Sequence, residues 1–259
     1  MTNDRFGLGG ALALMLVAGS GLSGCTATGG AARQTDELPP EQRQIVATRI
    51  NLGLEYMKVG NHAQAMDVLT DARTRFPDVA GVHSALGMLN ERIGDINASN
   101  LSYERAIDID GVDANIRNNY GGMLCRKGDY EGADQQFRVA LEDRLYATPW
   151  VAATNAGICA AQIPDLGRAE IYFRTALTKN PRFAPALYQM ARMSLRLERY
   201  VAGLQYLDRF WKAAPKNAES LWLGVQLARA AGRKSDASQL AYELRTRFPS
   251  SPQAELLLR

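Results

Sequence analysis

The feature that most constrains this chain is a repeat with a period of 34 residues. Four stretches of similar sequence end in proline, at Pro77, Pro181, Pro215 and Pro249. The last three prolines are 34 residues apart, and the 104 residues from Pro77 to Pro181 equal three periods plus two. In a protein with such a period, each unit is one supersecondary element, and neighbouring units share a continuous core. The sequence therefore predicts a stack of units rather than a single central core.

The units resemble the tetratricopeptide repeat, a pair of antiparallel helices with small residues at the helix crossing and Pro near the end. The prediction is an all-α fold: an α-α superhelix of six tetratricopeptide repeats, a right-handed solenoid, within residues 41–259. The pattern is degenerate in the last two units, and their register stays open. Two extra residues, Thr148 and Pro149, follow the third unit. The six predicted units are 46–79, 80–113, 114–147, 150–183, 184–217 and 218–251.

The N-terminal segment has the character of a targeting signal. Residues 8–18 are apolar or Gly, too short a run for a membrane span of about 20 residues but typical of a signal peptide. Small residues lead to Cys25, and this resembles a bacterial lipobox, in which residues 1–24 are removed and Cys25 is lipidated. The alternative is an ordinary signal peptide with a chance cysteine. Residues 25–40 are polar, with Gly and Pro, and predict a disordered tether.

The sorting signal and the composition limit the function classes. Thr26 follows the cysteine, and by resemblance to enterobacterial lipoproteins this predicts an outer-membrane protein, lipid-anchored and facing the periplasm. The net charge is only +3, and no block of Lys and Arg points to nucleic acid. With 2 His, 3 Cys and no metal or phosphate-binding motif, we predict no enzyme activity, no metal, no small-molecule substrate and no cofactor beyond the covalent lipid on Cys25.

Helix A of each unit is expected to line a concave groove suited to an extended peptide or a partner's helix. Positions are counted from the first residue of each unit, and position 13 is a cation in four of the six units. Such a ladder of cations would hold an acidic segment; a solvated edge is the alternative. The apolar groove residues of the first units either anchor a partner or pack under the N-terminal segment. The residues predicted to contact a partner are Leu54, Met88, Arg92, Asn118, Gly122 and Arg126. Position 13 reads Lys58, Arg92, Arg126, Gln162, Arg196 and Ala230.

Cys125 and Cys159 remain as a pair in an oxidising compartment once Cys25 is lipidated. They lie on the A helices of units 3 and 4, which are neighbours, so their Cα atoms can fall within the roughly 4.4–6.8 Å that a disulfide requires. Two buried thiols are the alternative. Asn119 and Asn155 share position 6, where a buried amide either bonds to backbone across helices or holds a ligand carboxylate.

The middle of the chain carries a further likeness. The stretches NNYGGMLCRKGDYEGADQQFRVAL at 118–141 and NAGICAAQ at 155–162 resemble the type IV pilus biogenesis and stability lipoproteins, the pilotins of the PilF/PilW family. This resemblance implies a non-enzymatic outer-membrane lipoprotein that binds the type IV pilus secretin subunit and promotes its localisation and multimerisation. It also implies that the Cys pair is bridged. The alternative is a general periplasm-facing adaptor for peptidoglycan enzymes or outer-membrane assembly, which would share the lipobox and the repeats.

Overall fold

The computed structural model describes residues 38–163 and 166–257, and these form thirteen helices and no strand. The all-α prediction is confirmed. Cys25, the signal peptide 1–24 and most of the predicted tether lie outside the described residues. No helix in the described ranges is long and apolar enough to cross a membrane. The helices are α1 Pro40–Lys58, α2 His62–Arg75, α3 Ala80–Arg92, α4 Ile96–Ile109, α5 Ala114–Lys127, α6 Tyr130–Glu142, α7 Pro149–Ala160, α8 Leu166–Lys179, α9 Ala184–Arg196, α10 Tyr200–Ala213, α11 Ala218–Ala230, α12 Lys234–Arg247 and α13 Pro252–Glu255.

The first twelve helices form six pairs, in which odd-numbered helices are helix A and even-numbered helices are helix B. Helices α9 and α11 begin at Ala184 and Ala218, so the period of 34 continues through the two degenerate units. The first unit differs, because α1 begins at Pro40, six residues before the predicted unit and inside the predicted tether. Proline is favourable in the first helical turn, where its fixed φ suits a helix and its missing N–H costs nothing.

The turns between helices A and B explain a sequence pattern that recurs in the first three units. In each of them a glycine with positive φ, between 78° and 91°, reverses the chain. The next residue is Asn or Asp, and its side chain accepts a hydrogen bond from the backbone N–H three residues on, which caps helix B. The pairs are Gly60–Asn61, Gly94–Asp95 and Gly128–Asp129.

Close packing within a unit depends on a glycine of helix A facing a large side chain of helix B. A Cβ added at Gly157 would lie 2.5 Å from the Phe173 ring. Gly87 faces Tyr103, and Gly121 faces Phe137, in the same way. In unit 6 the sizes are exchanged: Val225 and Ala241 occupy the same two positions and share one apolar cluster. The apolar contact between helices A and B is therefore kept in this degenerate unit.

We expect Gly157→Ala to destabilise the protein, since the added Cβ would lie 2.5 Å from the buried ring of Phe173. Overpacking costs about 1–3 kcal/mol, so the free energy of unfolding should fall by about 2 kcal/mol after the gain in helix propensity. For a domain of this size the Tm, measured by circular dichroism, should fall by about 4–8 °C. Gly122→Ala is the control, because its Cβ meets no buried ring and only the end of the Arg126 side chain, at 3.3 Å. Equal Tm values for the two variants would contradict this packing argument.

Candidate functional site

A cavity of about 410 Å³ opens on the A-helix face of units 2 to 4. Successive A helices pack against one another more closely than successive B helices do, which puts the A helices on the inner side of the stack. The cavity is lined by five of the six residues predicted to contact a partner, namely Met88, Arg92, Asn118, Gly122 and Arg126. Leu54 is not among its lining residues. It lies half-buried on α1, against the apolar cluster of units 1 and 2.

The floor of this cavity is held by amide groups that join neighbouring A helices. Asn155 Nδ2 on α7 donates a hydrogen bond of 3.0 Å to Asn118 Oδ1 on α5. Asn119 Nδ2 lies 3.9 Å from Met88 Sδ on α3. Both Asn residues thus contact a side chain on a neighbouring A helix, and not the backbone across helices that was expected. The groove floor is preorganised as a result, because three helices fix its polar groups.

Tyr103 lies under the cavity and is 1% exposed. Its ring stacks on Tyr120 with 5.3 Å between the ring centroids. Burial raises the pKa of Tyr103 well above its usual value, and the negative charge of Glu91 raises it further. The hydroxyl is therefore neutral at every physiological pH. The aromatic pair forms an apolar support beneath the polar floor.

One wall of the cavity is an ion pair between units 2 and 3. The guanidinium of Arg126 donates two hydrogen bonds to the Glu91 carboxylate, with Nε–Oε1 2.5 Å and Nη2–Oε2 2.8 Å. The Glu91 side chain is only 17% exposed. The hydrogen bond to Glu91 is the main reason why the pKa of Arg126 lies above its usual value, against the opposing effect of burial. This fork-to-carboxylate geometry fixes the Arg126 side chain in one orientation.

The cations at position 13 differ in the groups that they meet. Lys58 pairs with Glu55, Arg126 pairs with Glu91, and Arg196 donates to the backbone oxygen of Ala161. Arg92 makes no ion pair within the described ranges. The repeat aligns the residues at position 13, but the charge that Arg126 and Arg196 present depends on the residue facing each of them from the preceding unit. Glu91 was missed for this reason, although it precedes Arg92 directly in the sequence.

A disulfide lies beside this groove, and one of its cysteines lines it. Cys125 on α5 and Cys159 on α7 are joined by a disulfide, with 5.7 Å between their Cα atoms. An adjoining cavity of about 320 Å³ is lined by Cys125, Gly122, Arg126 and Asn155, among others. The disulfide thus ties together the two helices that carry the hydrogen-bonded Asn118 and Asn155.

The lining groups suit recognition of a peptide. Amides offer both donors and acceptors, Met88 offers a deformable apolar contact, and Gly122 leaves space beside them. The described residues contain no group of three His, Cys, Asp or Glu side chains placed to hold a metal ion. His83 is a structural residue, since its Nε2 lies 2.7 Å from the backbone oxygen of Pro77.

Comparison with known proteins supplies the family. The chain is 30% identical over 240 residues to the type IV pilus assembly protein PilF of Pseudomonas aeruginosa, a match that covers 92% of this chain and 94% of PilF. The chain belongs to the PilF family. No protein-family model matches it.

Solved structures of this family agree with the fold. PilW, described as a widely conserved type IV pilus biogenesis factor, superposes with a TM-score of 0.75 at 28% identity, covering 83% of this chain and 99% of PilW. The structure of Pseudomonas aeruginosa PilF gives a TM-score of 0.73 at 28% identity, covering 84% of this chain and 98% of that one. The likeness to the PilF family seen in the sequence motifs is thereby confirmed.

Proposed function

We propose that this protein is a type IV pilus biogenesis lipoprotein that binds the pilus secretin subunit and promotes its outer-membrane localisation and multimerisation. The observation that carries the proposal is membership of the PilF family across 92% of the chain. PilF is a type IV pilus assembly protein, and PilW is a type IV pilus biogenesis factor. In this proposal the protein acts as a scaffold without catalysis of its own.

The groove of units 2 to 4 is the proposed contact surface for the secretin subunit. Its floor and one wall are fixed by the Asn155–Asn118 hydrogen bond and the Arg126–Glu91 ion pair before any partner arrives. A site that is already ordered loses less conformational entropy on binding, so more of the interaction energy remains as affinity. Arg92 at its edge is the cation that is left to pair with an acidic residue of the partner.

The proposed anchor is the lipid on Cys25. Two lipid chains give stable membrane attachment, and a tether of some 15 residues reaches at most about 50 Å. Holding the scaffold at the membrane raises the local concentration of captured secretin subunits, which favours their assembly into a ring.

The experiment that tests the function is an immunoblot of outer membranes from a deletion strain, probed for detergent-resistant secretin multimers. We expect the multimers to disappear while the monomer persists, and the wild-type gene to restore them. Normal multimers at the normal location would overturn the proposal and favour the general envelope adaptor, whose partner would then be sought by cross-linking.

We expect removal of the lipid to separate targeting from binding. The variant carries Cys25→Ala behind the signal peptide of a soluble periplasmic protein, so that export and cleavage still occur. Secretin multimers in the outer membrane should fall at least tenfold, because capture is no longer coupled to the membrane. The purified variant should still bind the secretin subunit with wild-type affinity in a pull-down. Wild-type levels of multimers would contradict the role of the anchor. Loss of binding in the pull-down would contradict the proposal that the groove binds the secretin subunit without the lipid.

A further inference from the structure

A second, larger cavity lies on the A-helix face of units 4 to 6. It has a volume of about 640 Å³ and is bounded by residues of α7, α8, α9, α11 and α13. Tyr188, Arg192 and Arg196 of α9 line it. These three residues hold positions 5, 9 and 13 of unit 5, which in unit 3 are Asn118, Gly122 and Arg126. The two cavities are thus equivalent places in the stack with different chemistry.

Each cavity lining has two arginines and one glutamate, but the arginine at position 13 has a carboxylate partner only in the first cavity. Arg126 of unit 3 faces Glu91 at position 12 of the preceding unit, whereas Arg196 of unit 5 faces Ala161 at that position. Among the described residues, Arg196 Nη1 consequently donates a hydrogen bond only to the backbone oxygen of Ala161, at 3.3 Å. Arg192, one turn earlier on the same face of α9, is exposed and makes no ion pair or hydrogen bond within the described part of the chain.

Two like charges four residues apart on a helix disfavour the helix, so the pair brings the fold no advantage. Side chains at this spacing lie about 5–6 Å apart at Cβ, close enough for both guanidinium groups to reach one carboxylate. Glu219 is the acidic residue that lines the cavity. Burial raises the pKa of Tyr188, Glu219 raises it further and Arg192 opposes the rise, so both charged groups act at the Tyr188 hydroxyl. The lining keeps an excess of one positive charge.

The remaining lining groups are those that bind an extended peptide. Tyr188 and Trp222, at position 5 of adjacent units, are half-buried and present ring surface to the cavity. Four glutamines surround them, and an amide side chain both donates to a backbone C=O and accepts from a backbone N–H. Those at 189, 226 and 253 are half-buried, and their side-chain amides make no hydrogen bond to other described residues. The four are Gln162, Gln189, Gln226 and Gln253.

We propose that this cavity binds an extended acidic segment of a partner protein, with one Asp or Glu carboxylate held between Arg192 and Arg196. An apolar neighbour of that acidic residue then packs on Tyr188 and Trp222, and the glutamines bind the peptide backbone. The surface is separate from the groove of units 2 to 4 and does not depend on secretin being the partner there.

The test uses residues 25–259 exported behind the signal peptide of a soluble periplasmic protein, so that Cys25 carries no lipid and the Cys125–Cys159 disulfide forms. The protein is immobilised through biotin on the Cys25 thiol. The probes are three pools of acetylated, amidated octapeptides with identical random flanks and a central Glu, Gln or Lys. In 50 mM salt we expect the Glu pool to be retained at least five times better than the Gln pool. The ratio should approach one in 500 mM salt, since the charges are screened.

Charge reversal gives the decisive comparison. Arg192→Glu/Arg196→Glu should invert the preference, so that the Lys pool is retained best, and Glu219→Gln should strengthen the preference for Glu about twofold. Arg73→Glu/Arg245→Glu is the matched control, because it changes the net charge equally at exposed residues of α2 and α12. Circular dichroism verifies folding, and Arg192→Ala/Arg196→Ala, which should abolish the preference, replaces the reversal variant if that one fails to fold.

Two results would overturn the proposal. One is equal retention of the Glu and Gln pools by the wild type. The other is a preference that the control variant weakens as much as the reversal at Arg192 and Arg196, which would attribute it to net charge. Neither result bears on the secretin proposal, which is tested by multimers in the outer membrane.

Discussion

Replacing Gly122 with tryptophan is expected to lower affinity for the purified secretin subunit at least 100-fold, or about 2.8 kcal/mol at 1.4 kcal/mol per factor of ten. Gly122 lies on α5 at the edge of the cavity of about 410 Å³. A Cβ there meets only the Nη1 end of Arg126, at 3.3 Å. The indole would therefore fill the groove and leave the core intact. Isothermal titration calorimetry measures the loss.

Folding should be unaffected in this variant, because tryptophan has a higher helix propensity than glycine and the site is open to solvent. The matched control is Leu101→Trp on α4, where the native side chain is already 66% exposed on a B helix. It adds an indole to the surface without reaching the groove, and its affinity should equal that of the wild type. If Gly122→Trp binds the secretin subunit as well as the wild type does, the groove of units 2 to 4 is not the contact surface.

Removing the disulfide is expected to lower the free energy of unfolding by about 3–4 kcal/mol, because a closed loop of this length restricts the unfolded chain. Cys125 and Cys159 are 34 residues apart in sequence and join units 3 and 4. In a stack whose units contact only their neighbours, this bond strengthens the central interface. At about 2–4 °C per kcal/mol, Cys125→Ala/Cys159→Ala should unfold about 10 °C earlier in a circular dichroism melt.

Reductant supplies the control for this prediction. Cys159 is 3% exposed, so the protein is reduced while unfolded and then refolded, with intact mass confirming the gain of two protons. Reduced wild type and the double variant should melt at the same temperature, and reductant should leave the Tm of the variant unchanged. If the reduced wild type has the same Tm as the oxidised protein, the disulfide adds nothing to stability.

Most of the fold was predictable from local sequence. The Gly–Asn and Gly–Asp turns and the glycines facing aromatic rings, such as Gly121 and Phe137, are local features with a fixed steric cause. The period of 34 places the starts of α9 and α11, but matching single positions fails in unit 6, because Val225 and Ala241 exchange the sizes normally found at their positions. The packing there constrains the combined volume of the two side chains, whereas a sequence pattern is matched at one position at a time.

The candidate site was predictable in its location and only partly in its chemistry. Positions 5, 9 and 13 of successive A helices follow from the period, and five predicted residues line one cavity. Leu54 does not join them, because it packs in the cluster of units 1 and 2. The polar partners Glu91 and Asn155 were not among the predicted contact residues, since each acts through a residue of the adjacent unit.

By itself the sequence determined the repeat length, the number of helix pairs and the inner face of the stack, because these depend on contacts within about 34 residues that recur in every unit. The tertiary structure alone decided which cations are free. Arg126 meets a carboxylate and Arg196 meets only the backbone oxygen of Ala161, although both hold the same position in their units. The difference arises because the residue across the interface between units is Glu91 in one case and Ala161 in the other. Whether a charge is compensated depends on both residues of such a pair, and a single position in the repeat does not reveal it.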